Sequence, residues 1–233
     1  HGYADEQIIA EIEQHFYHLV VVGSRGRRRL TRLLLGSVAK HLARTIDTSL
    51  LIVVHPRPAI KKILVCTSGG EPGEADAAVG GALAALVGAE VTVLHVMSQI
   101  PLSPDAQIED LSSDTQTLIE RGSREGQHLE REISILRAQG VKPELCQAKI
   151  RRGLVVDEIV SEMREGDYDL IVIGAHQVPR DQPWSDVRRV LQMDVADQIL
   201  TNIRRPVLVV RATYDLGLPI TASRADERDP AAS

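Results

Sequence analysis

Short, near-continuous runs of Val, Ile and Leu recur along the chain. Longer stretches separate them, in which apolar residues return every three or four positions. The runs predict strands at Leu19–Val22, Leu50–Val54, Lys62–Thr67, Glu90–Val96, Glu144–Ile150, Asp169–Ile173 and Val207–Arg211. The intervening stretches predict helices at Glu6–Gln14, Ser37–Ile46, Glu74–Val87, Val155–Arg164 and Asp186–Thr201. One further long helix is expected to end near Gly140, a natural C-cap. Strands that are apolar throughout belong to a parallel sheet with helices on both faces. The pattern therefore predicts an α/β protein with a doubly wound parallel sheet. His55-Pro56-Arg57-Pro58 breaks the series, and the polar tail from Asp215 to Ser233 predicts disorder.

The chain also repeats itself. Gly2–Gly23 lies over Gly153–Gly174 without a gap, an offset of 151, with identities at Ile8/Ile159, Glu11/Glu162, Tyr17/Tyr168, Leu19/Leu170, Val21/Val172 and both end glycines. Farther on the offset is 157 and pairs Val38-Ala39 with Val195-Ala196, Ile46 with Ile203, Leu51 with Leu208 and Val53 with Val210. The organisation expected from this is a C-terminal half-domain at 1–55, a complete domain of the same kind at 60–212, and a tail at 213–233. The first copy lacks counterparts of the second copy's opening strands, so the sequence is expected to start inside a longer protein. The last strand of each copy, Leu50–Val54 and Val207–Arg211, is an apolar edge without a central proline. Such edges find each other, so the two are expected to pair antiparallel within the chain.

Composition narrows the function. A net charge of −5 argues against a polyanion partner for the chain as a whole. The longest uncharged small-apolar run, Ala77 to Ala89, is too short to span a bilayer and reads as a buried helix. Cys66 and Cys146 stand far apart with no CxxC or histidine spacing, the pattern of two buried thiols in a reducing cytoplasm, not of a disulfide or zinc frame.

The chemistry concentrates in VVVGSRGRRRLTRLLLGS, from Val20 to Ser37. A strand runs into Gly23, Gly26 follows, and Gly36-Ser37 opens a helix. Glycines let backbone amides approach a ligand closely, Ser37 suits an N-cap, and a helix N-terminus beyond the carboxyl end of a strand favours an anion. The alternative is a loop that only connects and caps. Arg25, Arg27, Arg28, Arg29 and Arg32 make the stretch basic. A nucleic-acid role is disfavoured because aromatics, the stacking platforms, are 3% of the chain. The arginines are then either a solvated basic loop or contacts to ligand phosphates.

The spacing Gly23-x2-Gly26-x9-Gly36-Ser37 resembles that of the nucleotide-binding universal stress proteins. Ile63-Leu64-Val65, Gly88-Ala89-Glu90-Val91, Leu94-His95-Val96, Tyr168-Asp169-Leu170-Ile171-Val172-Ile173-Gly174 and Arg205-Pro206-Val207-Leu208-Val209-Val210 are similar to that family's segments in order and spacing. The resemblance implies a five-stranded parallel sheet of order 3-2-1-4-5, Rossmann-like in the manner of adenine nucleotide alpha hydrolases. It also implies pairing through the last strands, as an intramolecular pseudo-dimer or a homodimer. Its ligand would be ATP or AMP, held by Gly23, Arg25, Gly26, Gly36, Ser37 and Val38; whether Mg accompanies it is not readable from the residues.

The second copy departs from that pattern. Gly174-Ala175-His176-Gln177 lacks the second glycine, the following loop is six residues longer with Pro179, Pro183 and Trp184, and Met193-Asp194 stands where Gly36-Ser37 stood. Asp194 can cap a helix but repels a phosphate. The Asp that the family places against adenine corresponds to Ser68. The second copy is thus expected to be degenerate, kept for packing or partner contact, with His176 and Trp184 in a surface loop or, as the alternative, at a different ligand site.

Catalytic signatures are missing from the sequence: no GxxxxGK[ST], GxGxxG, HExxH or GxSxG occurs, and His95 reads as a structural histidine at a strand end. At most slow ATP turnover is expected. The readings that follow are a cytoplasmic stress-response protein regulated by ATP or AMP at its first copy, a ligand-free interaction module, or the cytosolic regulatory tail of a membrane transporter. A chain without its first strand is expected to bind weakly.

Overall fold

The computed structural model describes residues 3–23, 36–67, 71–97, 113–175 and 195–211, with side chains from 74 onward in the third of these segments. In chain order the elements are α1 (Ala4–Gln14), β1 (Leu19–Gly23), α2 (Ser37–Thr45), β2 (Ser49–Val53), β3 (Lys62–Thr67), α3 (Glu71–Val87) and β4 (Glu90–Met97). They continue with α4 (Thr115–Glu120), α5 (Arg124–Ala138), β5 (Cys146–Arg152), α6 (Val155–Glu165), β6 (Leu170–Gly174), a helix α7 at 195–202, and β7 (Val207–Val210). The expected α/β class holds, and the expected boundaries fall within a few residues of the observed ones. The expected tail at 213–233 and the start of the expected helix at Asp186 lie outside the described residues.

All seven strands form one sheet, in the order β1-β2-β7-β6-β3-β4-β5. Every neighbouring pair is parallel except β2 and β7, which run antiparallel with Leu50 opposite Val209, Leu51 opposite Leu208 and Ile52 opposite Val207. The two apolar edges expected to meet do so. Under the offset of 157, Leu51 and Leu208 are equivalent and face each other, while Leu50 faces the equivalent of Ile52. That register is the one a two-fold axis through the Leu51–Leu208 pair would produce. Arg44 of α2 pairs with Asp197 of α7 across this seam.

Burial explains why the strands are apolar at every position. Ile63 and Val65 of β3, Leu170 and Val172 of β6, and Leu208 and Val210 of β7 face one core, shared with Leu129 and Leu136 of α5. Their sequence neighbours Leu64, Cys66, Ile171, Ile173, Val207 and Val209 face the other, shared with Leu42 of α2, Ile159 of α6 and Ile199 of α7. The period of two along each strand sends alternate residues to opposite helix layers. The linker before β3 is tied down by Asp169, whose carboxylate accepts from Arg57 at 2.9 Å and from the backbone amides of Lys61 and Lys62 at 2.7 and 3.0 Å.

One expectation is corrected. The single long helix ending near Gly140 is two helices, α4 and α5. Gly122 takes φ 64°, its amide donates to Ile119, and the amide of Ser123 donates back to Leu118, which is a Schellman ending. The Ser123 hydroxyl then accepts from the Gly126 amide and starts α5. Apolar periodicity ran through this Gly-Ser pair and hid the break. The first turn of α5 lies directly on the end of α4, so a Cβ at Gly126 would overlap the Leu118 carbonyl. Among the described residues, no helix is long and apolar enough to cross a membrane.

Because the Gly126 contact is backbone against backbone, neither partner can rotate away. Gly126→Ala is expected to lower unfolding stability by about 2–3 kcal/mol, read from urea denaturation.

Candidate functional site

The site anticipated from the sequence lies at the carboxyl ends of β1 and β2. These strands pair in parallel register with Gly23 beside Val53, so both chain segments leave the sheet at the same edge. A helix that links two parallel strands runs back across the sheet, and this sets the N-terminus of α2 at that edge. Gly23 is the last residue of β1, Gly36 and Ser37 begin α2, and all three are exposed. Val38 is half-buried and packs on the core that includes Leu42 and Ile199. Arg25 and Gly26, with the rest of the basic loop, lie outside the described residues.

Ser37 is not the cap it was expected to be. Gly36 is the N-cap, with φ −58° and ψ 148°, and its carbonyl already accepts from the Lys40 amide. Ser37 is therefore the first helical residue, and its hydroxyl is left free of the capping task. Among the described residues no side chain caps α2, and no acidic residue stands in its first turn, so within that set the leading amides keep their donors and their partial positive charge.

A Cβ built at Gly23 or Gly36 meets nothing within 4 Å among the described residues, and neither residue has a positive φ. This contrasts with Gly126, where the fold itself forbids a side chain.

The corresponding edge of the second half is filled differently. Gly174 ends β6 and Ala175 follows it, buried; His176, Trp184, Met193 and Asp194 lie outside the described residues. Arg211, directly after β7, is buried beneath this edge. Its guanidinium donates to the Ala175 carbonyl at 2.6 Å and to the Ala43 carbonyl near the end of α2, and its amide donates to the Ser49 hydroxyl at 3.1 Å. The residue at the same place in the first half is Val54. Sequence reading passed over Arg211; the available signal was a lone cation ending a wholly apolar strand.

A second detail unites the halves. Tyr17 donates to Glu11 at 2.6 Å and Tyr168 donates to Glu162 at 2.8 Å, the same bond at an offset of 151. Glu162 is 1% exposed and also meets Lys149 and Arg151 of β5, each at 2.6 Å, whereas Glu11 is 54% exposed. Burial opposes the Glu162 charge, but hydrogen bonds from Lys149, Arg151 and Tyr168 hold its carboxyl below the ordinary range.

Residues 1–54 and 59–211 match the model of the universal stress protein family. The chain belongs to the universal stress protein family. Among solved structures, this universal stress protein is similar to a functionally unknown protein from Pseudomonas aeruginosa PAO1, with 21% identity and a TM-score of 0.60 over 91% of this chain and 69% of that one. It is also similar to a universal stress protein from Archaeoglobus fulgidus DSM 4304, with 18% identity and a TM-score of 0.55 over 89% of this chain and 64% of that one. At such identities the likeness is one of fold. No curated protein matches the sequence.

Since Gly36 and not Ser37 caps α2, Ser37→Ala is expected to change unfolding stability by less than about 0.5 kcal/mol in urea denaturation. Any larger loss would return the capping role to Ser37.

Proposed function

We propose that this universal stress protein is a regulatory protein that binds ATP or AMP at the Gly23–Ser37 edge of its first half, the second half serving packing. The observation that carries the reading is the pair of exposed glycines, Gly23 and Gly36, which neither a positive φ nor any side chain among the described residues requires. A ligand approaching the backbone there would supply the missing reason.

The residues present fit a phosphate. The leading amides of α2 offer donors to an anion, the Ser37 hydroxyl is exposed beside them, and no carboxylate stands in the first turn to repel it. Arg25 would add a bidentate contact to phosphate oxygens, and Gly26 a second close backbone approach. Val38, half-buried, fixes the first turn of α2 against the core so that the donors point outward. The role is one of binding and signalling, not chemistry: Gly23, Gly36, Ser37 and Val38 carry no group that titrates near neutral pH and could serve as a general base. The second half offers a poorer cradle, with Gln177 at the place of Gly26 and the buried Arg211 engaged with carbonyls.

Calorimetric titration with ATP and with AMP tests this on the wild type, Gly36→Val and Met193→Val. A valine at Gly36 should weaken binding at least tenfold by blocking phosphate approach, and the change at Met193 should leave affinity unaltered. Equal binding by all three would reduce the motif to a turn and a helix start.

A further inference from the structure

On the face of the sheet covered by α3 and α5, a polar cluster is enclosed at the carboxyl ends of β3 and β4. Glu132 of α5 is 0% exposed. Its Oε1 lies 3.4 Å from the Thr67 hydroxyl and 3.6 Å from Nε2 of His128, one helical turn earlier, while its Oε2 has no hydrogen-bond partner among the described residues. Nε2 of His128 lies 2.8 Å from the same Thr67 hydroxyl. His95 of β4 places Nδ1 3.3 Å from the Thr67 carbonyl and its ring edge-on to His128, centroids 5.4 Å apart.

Among the described residues, a carboxylate in this position would have one long hydrogen bond and no cation in contact with it. Arg131, next along α5, is turned to the surface and meets Glu74 of α3 at 3.4 Å. The other nearby carboxyl, Asp76 of α3, is itself buried and of like charge. Glu125 acts on His95. On α4, Glu120 accepts from Gln116 at the surface. The cations of β5 are engaged elsewhere, Lys149 and Arg151 with Glu162 on the opposite face and Arg152 with the Ser113 carbonyl. Burying an ion with so little compensation is costly, and a neutral acid avoids that cost.

We propose that Glu132 is kept as a protonated carboxylic acid that hands a hydrogen bond to Thr67, which hands one on to neutral His128, and that loss of this proton unseats α5 from the sheet. The chain runs from the acid, which donates to the Thr67 oxygen, to the threonine hydroxyl, which donates to Nε2, while Nδ1 of His95 reaches the Thr67 carbonyl. It ties α5 to β3 at the residue that ends the strand. Burial, with Asp76 and Glu74, pushes the Glu132 carboxyl up to about 8, and burial, with His95 and Arg131, pulls His128 down to about 4. The native state holds the Glu132 proton where the unfolded chain has released it. The stabilising effect is complete below the ordinary glutamate range and is lost as pH rises to about 8, with no further loss above.

Carboxyl-carbon NMR on the wild type, labelled at glutamate side chains, should show one resonance titrating near pH 8; its absence would overturn the proposal whether or not any variant folds. Urea midpoints should fall between about pH 6.5 and 8 and then level off in the wild type, since below that window neutral His128 adds stability with rising pH and offsets the loss. Glu132→Gln, a neutral mimic of the acid, should abolish that fall. Amide exchange over 126–136 should quicken between pH 7 and 9, beyond its intrinsic increase, in the wild type only. Parallel profiles for the two proteins would equally overturn it.

Discussion

Three residues of backbone pairing, Leu50–Ile52 against Val207–Val209, join what would otherwise be two separate parallel sheets. Each strand alone is an apolar edge, and an exposed edge of that kind is a template for association. Meeting within the chain removes both edges at once. It also lays α2 beside α7, so that Leu42 and Ile199 enter one core and Arg44 reaches Asp197. The other contacts at the seam, including Arg211 reaching back to Ala43, presuppose that pairing.

The halves joined in this way share an architecture but differ in where they place charge. Tyr168 and Glu162 sit in a closed network with Lys149 and Arg151, and their equivalents Tyr17 and Glu11 stand in the open. Arg211 occupies the carboxyl edge of one half, where the other has Val54. A buried guanidinium that donates to two backbone carbonyls is a structural clamp, while a helix start that no described side chain caps, beside two glycines that no described atom crowds, leaves donors to spare. The same fold thus supplies a filled edge and a receptive one, and the function proposed rests on that difference more than on the fold itself.

The layer formed by α3, α4 and α5 adds a third kind of polar economy. Its Schellman turn at Gly122 and the bare approach at Gly126 bring α5 close enough to bury His128 and Glu132 at the end of β3. A carboxyl group under a helix seated at such short range is fully buried. The protonation of that group and the position of the helix are therefore one equilibrium.

The sequence by itself determined the class, the approximate elements, the pairing of the two last strands and the internal repeat, because these follow from local periodicity and from residues that recur at fixed offsets. It also marked Gly23, Gly36 and Ser37 as one locus, since strand, glycine and helix start are adjacent along the chain. Tertiary structure alone decided three matters. Gly36 took the cap from Ser37 because capping depends on backbone angles, which residue identity only biases. Gly122-Ser123 split a helix because both halves find their own capping bonds there. And the burial of Arg211, Glu162 and Glu132 is written nowhere in the sequence, because burial is set by which elements cross over a residue, and those elements come from positions tens to more than a hundred residues away.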